Sequence, residues 1–123
     1  MRNNKNIGDQ GAEQIIFALG KNTNLTGLDL INCKCNEFTT SALADIADVN
    51  STLETLLLQD ELSESAIHSL GLFLADEHCM LKTLYLWKCS MDRDMLEILC
   101  KSLQNNTRLS TLALSYNCID YQE

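Results

Sequence analysis

Four six-residue stretches of the pattern L-x-x-L-x-L dominate the chain. They are LTGLDL from Leu25, LETLLL from Leu53, LKTLYL from Leu81 and LSTLAL from Leu109, each beginning 28 residues after the one before. A fixed period restricts the fold more than composition does, because a chain that repeats one supersecondary unit stacks its copies and buries a continuous core between neighbours. The alternation at the end of each hexad is that of a strand with leucines on one face. Between hexads the apolar spacing becomes helical. Ala12, Ile15, Ile16 and Leu19 follow a cap candidate at Asp9, and Leu43, Ile46 and Ala47 follow Ser41. Ile67, Leu70, Phe73 and Leu74 follow Ser65, and Leu96, Leu99, Cys100 and Leu103 follow Asp92 or Asp94. Each unit thus reads as a strand followed by a helix, an α/β pattern. One unit is irregular. A residue is missing between Leu58 and Ile67 and one is added in ADEHCM, so Leu62 is expected to fill the turn as Cys35, Met91 and Ile119 do elsewhere.

The residue three past each hexad is Cys33, Glu61, Cys89 or Asn117. With that position, the chain resembles leucine-rich repeat proteins, whose strand is followed by an N/C slot. The period and the helix in every unit resemble the ribonuclease-inhibitor-like class. NIGDQGAEQIIFAL, from Asn6, is similar to the second half of such a unit, with Ile7 and Gly11 at positions of its I-G-D-x-G-A turn. The resemblance implies a right-handed β-α solenoid of about four repeats, with a parallel concave sheet and helices on the convex side. It implies one domain over residues 1–123, with a partial first repeat at 1–24, repeats at 25–52, 53–80 and 81–108, and a partial last repeat at 109–123. Scaffolds of this class serve in inhibitors, innate immune receptors, actin-capping proteins and bacterial effectors delivered into host cells. The resemblance therefore implies a protein-binding chain that catalyses no reaction.

If Leu81, Leu84 and Leu86 face the core, Thr83, Tyr85 and Trp87 project from the opposite face of the sheet. The equivalent sets are Gly27, Asp29 and Ile31, then Thr55, Leu57 and Gln59, then Thr111, Ala113 and Ser115. Leu57 and Tyr85 are expected side by side, Trp87 and Ile31 near the loop end, and Lys88 and Tyr116 on the rim. Apolar area left in water is unfavourable by about 25 cal/mol per Å², and exposed aromatic patches tend to mark contact sites. Asp29, Ile31, Leu57, Gln59, Tyr85, Trp87, Lys88 and Tyr116 are accordingly the candidate partner-binding residues. The bland alternative is that these side chains only shield one another. Four strands make a face of roughly 20 by 20 Å, about half of one partner's share of a standard interface.

Charge and cysteine usage narrow the partners. A net charge of −8 repels a phosphate backbone, and no Lys/Arg cluster offsets it, which argues against nucleic acid. Apolar runs fall short of the roughly 20 residues of a membrane span, and MRNNKNIGDQG lacks the apolar segment of a signal peptide. Cys33, Cys35, Cys79, Cys89, Cys100 and Cys118 show no C-x-x-C or zinc spacing, so no metal or other cofactor is expected. Cys33 and Cys89, two strands apart, stand near 10 Å and cannot pair. Reduced, largely buried thiols are expected, in the cytoplasm, or in the host's cytoplasm for an effector.

No P-loop, dinucleotide fingerprint, H-E-x-x-H or G-x-S-x-G occurs, and His68 and His78 read as solvated or capping. Ran GTPase-activating proteins use this class of repeat and act from the loops after the strands. Arg93 occupies such a loop, but between Asp92 and Asp94 it reads as a solvated turn residue. The chain starts in mid-repeat and stops before a helix covers the fourth strand. It is thus expected to be a piece of a longer protein, or to be covered by another chain, with a second copy pairing along Leu112, Ala113 and Leu114.

Overall fold

Leu28, Leu30, Leu56, Leu58, Leu84 and Leu86 are each at most 5% exposed, so the alternate leucines of three hexads do face the core. The computed structural model describes residues 2–117; the thiol of Cys118 and the turn role of Ile119 lie outside them. Along the chain run α1 (Gly8–Leu19), β1 (Gly27–Ile31), α2 (Glu37–Ile46) and β2 (Thr55–Gln59). Then follow α3 (Glu64–Ala75), β3 (Thr83–Leu86), α4 (Arg93–Leu103) and β4 (Thr111–Ala113). The four strands form one parallel sheet in chain order, and consecutive helices pack against each other. Thr55 pairs with Gly27 and with Thr83, and Leu57 with Asp29 and with Tyr85, so the sheet register equals the sequence period. Ile16, Leu43, Ile67, Leu70, Leu74 and Leu99 bring the helices onto the leucine face. The result is a repeat-like α/β fold in which, among the described residues, helices cover one face of the sheet.

Several helix starts differ from the sequence expectation: α2 borrows its cap from the preceding unit, and α3 is capped two residues earlier than expected. α2 begins at Glu37, four residues before Ser41. Asp9 does not cap its own helix; its carboxylate accepts from the N–H groups of Asn36, Phe38 and Thr39 and from the Thr39 hydroxyl at 2.6–2.9 Å. These are the orphan donors of the first turn of α2. The Asn36 side chain in turn accepts from Ser63 N–H at 2.9 Å, and Ser63, not Ser65, caps α3 by accepting from Ala66 N–H. Asp92 caps α4, accepting from Met95 N–H at 2.9 Å. On that helix Met95 and Leu99 face the core, which leaves Cys100 exposed, contrary to its assignment to the apolar stripe.

In the second unit the residue that holds the preceding loop is Asp60, not Glu61. Asp60 accepts from Lys34 and Cys35 N–H, both at 3.0 Å, as Asn117 accepts from Cys89 and Met91 N–H at 2.9 and 3.1 Å. The loop that is one residue short slides the slot back by one and leaves Glu61 exposed. Leu62, Cys35 and Met91 are buried in their turns as expected. At the other end of the strands Asn22, Asn50 and Asn106 recur. Each side-chain oxygen accepts from the N–H groups two and three residues on, just before the hexad. The amides of Asn50 and Asn106 also donate back to Leu19 and Leu74 carbonyls at 2.7 and 2.8 Å.

Among the described residues Cys33, Cys35, Cys79 and Cys89 are buried thiols. Burial pushes the Cys35 thiol up to about 12 and Cys89 up to about 11, and raises Cys79 as well. Cys35, Cys79 and Cys89 therefore stay neutral at physiological pH.

Two variants test the borrowed polar groups. Asn50 is buried and serves three backbone groups, so Asn50→Ala should cost about 2–3 kcal/mol of unfolding free energy in urea titrations. Exposed Asn22→Ala should cost about 1 kcal/mol or less. For Asp60, burial raises the carboxyl pKa, the N–H groups of Cys35, Lys34 and Cys33 lower it, Asp9 raises it again, and the net direction is up. The folded chain then binds this proton more tightly than the unfolded chain. The associated stability is fully present below the unfolded pKa and is lost as pH rises through the folded value. Asp60→Asn removes that loss, so its melting temperature should gain on the native chain between pH 4 and pH 7. A difference that shrinks over that range would contradict the assignment.

Candidate binding face

The uncovered face carries the odd-numbered strand positions. Register places Asp29, Leu57, Tyr85 and Ala113 in one row across all four strands. Ile31 pairs with Gln59, and Trp87 extends that row from the end of β3, its N–H donating to the Leu58 carbonyl at 3.1 Å. Tyr85 and Trp87 are 38% and 37% exposed, while Leu57 and Gln59 are half-buried. Leu57 and Tyr85 are the cross-strand neighbours that the alternation predicted.

Two members of the predicted face are not open to a partner as expected. Ile31 is only 7% exposed: the N-terminal residues run beside it, Asn3 N–H donating to its carbonyl at 2.7 Å, and Trp87 and Tyr116 share its hollow. It forms a floor rather than a projection. Asp29 is already engaged, accepting from Arg2 Nε and Nη2 at 3.0 and 2.7 Å and from Ile31 N–H at 3.1 Å. Burial alone would raise its pKa, but the Arg2 and Ile31 bonds outweigh that and hold the carboxyl below its ordinary value.

The rim is built by backbone conformation. Asn32, Lys34, Lys88, Ser90 and Tyr116 all have φ between 52° and 61°, in the left-handed region. Lys88 and Tyr116 stand one period apart, and Asn32 stands two periods before Lys88. Asn tolerates this conformation; Lys and Tyr pay about 1 kcal/mol or more for it. The loops are held there by Lys88 N–H donating to the Ser115 carbonyl and Asn32 N–H to that of Gln59. Trp87 and Tyr116 consequently meet with ring centres 5.8 Å apart at 51°, and the Lys88 ammonium lies 5.4 and 5.6 Å from the two ring centres. Beside them is a pocket of about 320 Å³ lined by Ile31, Tyr85, Trp87, Ala113, Ser115 and Tyr116. Ala113 and Ser115 stand in the outward set by alternation, yet the sequence offered no reason to single them out for the pocket.

Of the proposed edge, Leu112 and Ala113 lie in β4 and Leu114 just after it, all partly buried. A second hollow, of about 220 Å³, opens beside Leu103, Leu109 and Leu112. His68, His78 and Arg93 are exposed, and His78 Nδ1 lies 3.1 Å from Asp76. Among the described residues no group of three or more His, Cys, Asp or Glu side chains could hold a metal ion, and no helix is long and apolar enough to cross a membrane. No protein-family model matches the chain, and no curated protein matches it.

The orientation of the face has a direct check. Leu86→Ala should cost about 2–5 kcal/mol of folding free energy, as core truncations do. Trp87→Ala should cost less than half as much, and acrylamide should quench emission from this single tryptophan in the folded protein. A shielded, blue-shifted emission would reverse the orientation.

Proposed function

We propose that the chain is a leucine-rich repeat solenoid of the ribonuclease-inhibitor-like class that binds a partner protein through the uncovered, concave face of its sheet. It catalyses no reaction. The observation that carries this reading is the cluster of three exposed aromatic rings, Tyr85, Trp87 and Tyr116, around one pocket on a face that carries no helix among the described residues. Aromatic anchors in a pocket supply most of the energy of many interfaces. The pocket and its rim offer one large side chain a place to insert, with Leu57 and Gln59 as surrounding contact area. Four buried thiols fit a reducing, intracellular setting. A second reading, self-association along β4, is supported by the hollow flanked by Leu103, Leu109 and Leu112 and by the position of β4 at the edge of the sheet.

Selection from a random peptide library displayed on phage tests the first reading without a known partner. Peptides enriched on the native chain should bind Trp87→Ala at least about 30-fold more weakly, the equivalent of about 2 kcal/mol, while that variant keeps its unfolding cooperativity. Enriched peptides that ignore Trp87, Tyr85 and Tyr116 alike would remove the face from consideration.

A further inference from the structure

The Lys88 ammonium sits within the roughly 6 Å at which a cation is attracted to a ring face, and it does so for two rings at once. Among the described residues no carboxylate lies within 4 Å of it, whereas Lys82 pairs with Glu54 and Lys101 with Glu97. The side chain is exposed and does not line the adjoining pocket. Two rings therefore form a seat for a cation, and among the described residues those rings are what holds this long, solvent-accessible side chain.

We propose that this seat and the pocket beside it receive a basic side chain, arginine or lysine, from a partner protein, and that Lys88 is its displaceable internal occupant. The inference rests on the reading of this face as a binding face. An incoming stem covers Ile31, Ala113 and Tyr85, and its head takes the place of the Lys88 ammonium on Trp87 and Tyr116. The hydroxyl oxygens of Ser115 and Tyr116 are acceptors for its N–H groups. Exchanging one cation for another leaves the ring interaction unchanged, so the gain is the apolar area that the arriving stem buries and Lys88 does not. Among the described residues no cationic side chain lines the pocket, Arg2 is committed to Asp29, and the chain's charge of −8 favours approach by a basic partner. An acidic side chain would gain Lys88 but would face the negative faces of the rings and the field of the whole chain.

The sign of the effect of Lys88 separates these cases. The probes are N-acetyl-arginine amide and N-acetyl-glutamate amide at constant ionic strength, read by Trp87 fluorescence in the full chain. The arginine probe should give a saturable change, and Lys88→Met, which removes the competitor, should lower its half-saturation about two- to fivefold. Lys21→Met, an exposed control, should not. Unchanged melting of Lys88→Met verifies its fold. No saturable response to the arginine probe, or one weakened by Lys88→Met, overturns the proposal. A response to the glutamate probe that Lys88→Met abolishes overturns it in favour of an acidic partner. If phage selection meanwhile yields Trp87-dependent peptides without Arg or Lys, the binding face stands and only the cation seat falls.

Discussion

Everything in this fold depends on strand register. Parallel strands whose leucines alternate can pair in many offsets, but a slip of one residue would turn every leucine of a strand from the helices to water. Here each strand pairs with the next at an offset of 28, the period of the sequence. The offset that aligns Leu28, Leu56 and Leu84 on the core face also aligns Asp29, Leu57, Tyr85 and Ala113 on the open face. The candidate face is thus a by-product of core packing: a residue at an odd strand position is turned to that face, and its cross-strand neighbours are fixed by the same offset.

The polar groups follow a related rule, in that each unit completes the backbone of another. Asp9 caps α2, Asn36 bonds the start of α3, Asp60 and Asn117 hold the loops of preceding units, and Asn50 and Asn106 reach back to α1 and α3. A single unit would leave these donors and acceptors unsatisfied, at about 1–3 kcal/mol for each buried group. Stability is therefore shared between neighbours, and the units are expected to unfold together.

Period and alternation were legible from the hexads alone, because every unit repeats them in one register. The caps were not. A cap candidate read from sequence is assigned to the helix it precedes, and Asp9 serves a helix that starts 28 residues later, at Glu37. Glu61 was misassigned because one deleted residue moves the slot without changing the hexads. The asparagines at 22, 50 and 106 were legible in principle, as N-[ST]-x-L before three hexads, but attention to apolar positions passes over them. On the candidate face, exposure of Tyr85 and Trp87 followed from the period of two. The burial of Ile31 and the engagement of Asp29 did not, since Arg2 and Asn3, which bond Asp29 and the Ile31 carbonyl, and Tyr116, which shares the Ile31 hollow, all fall outside the hexads.

The loops carry the last step. Left-handed backbone recurs at the loop ends of the strands, and the side chain found there differs: Asn32 in the first unit, Lys88 in the third, Tyr116 in the fourth. Asn32 suits the conformation and bonds Asn3, a structural use. Lys88 and Tyr116 hold the same conformation at a cost that Asn or Gly would reduce, and their side chains meet over Trp87. Strain kept at two successive loop ends, where it assembles one cluster beside the pocket, is what separates this corner of the sheet from the rest of an otherwise regular repeat.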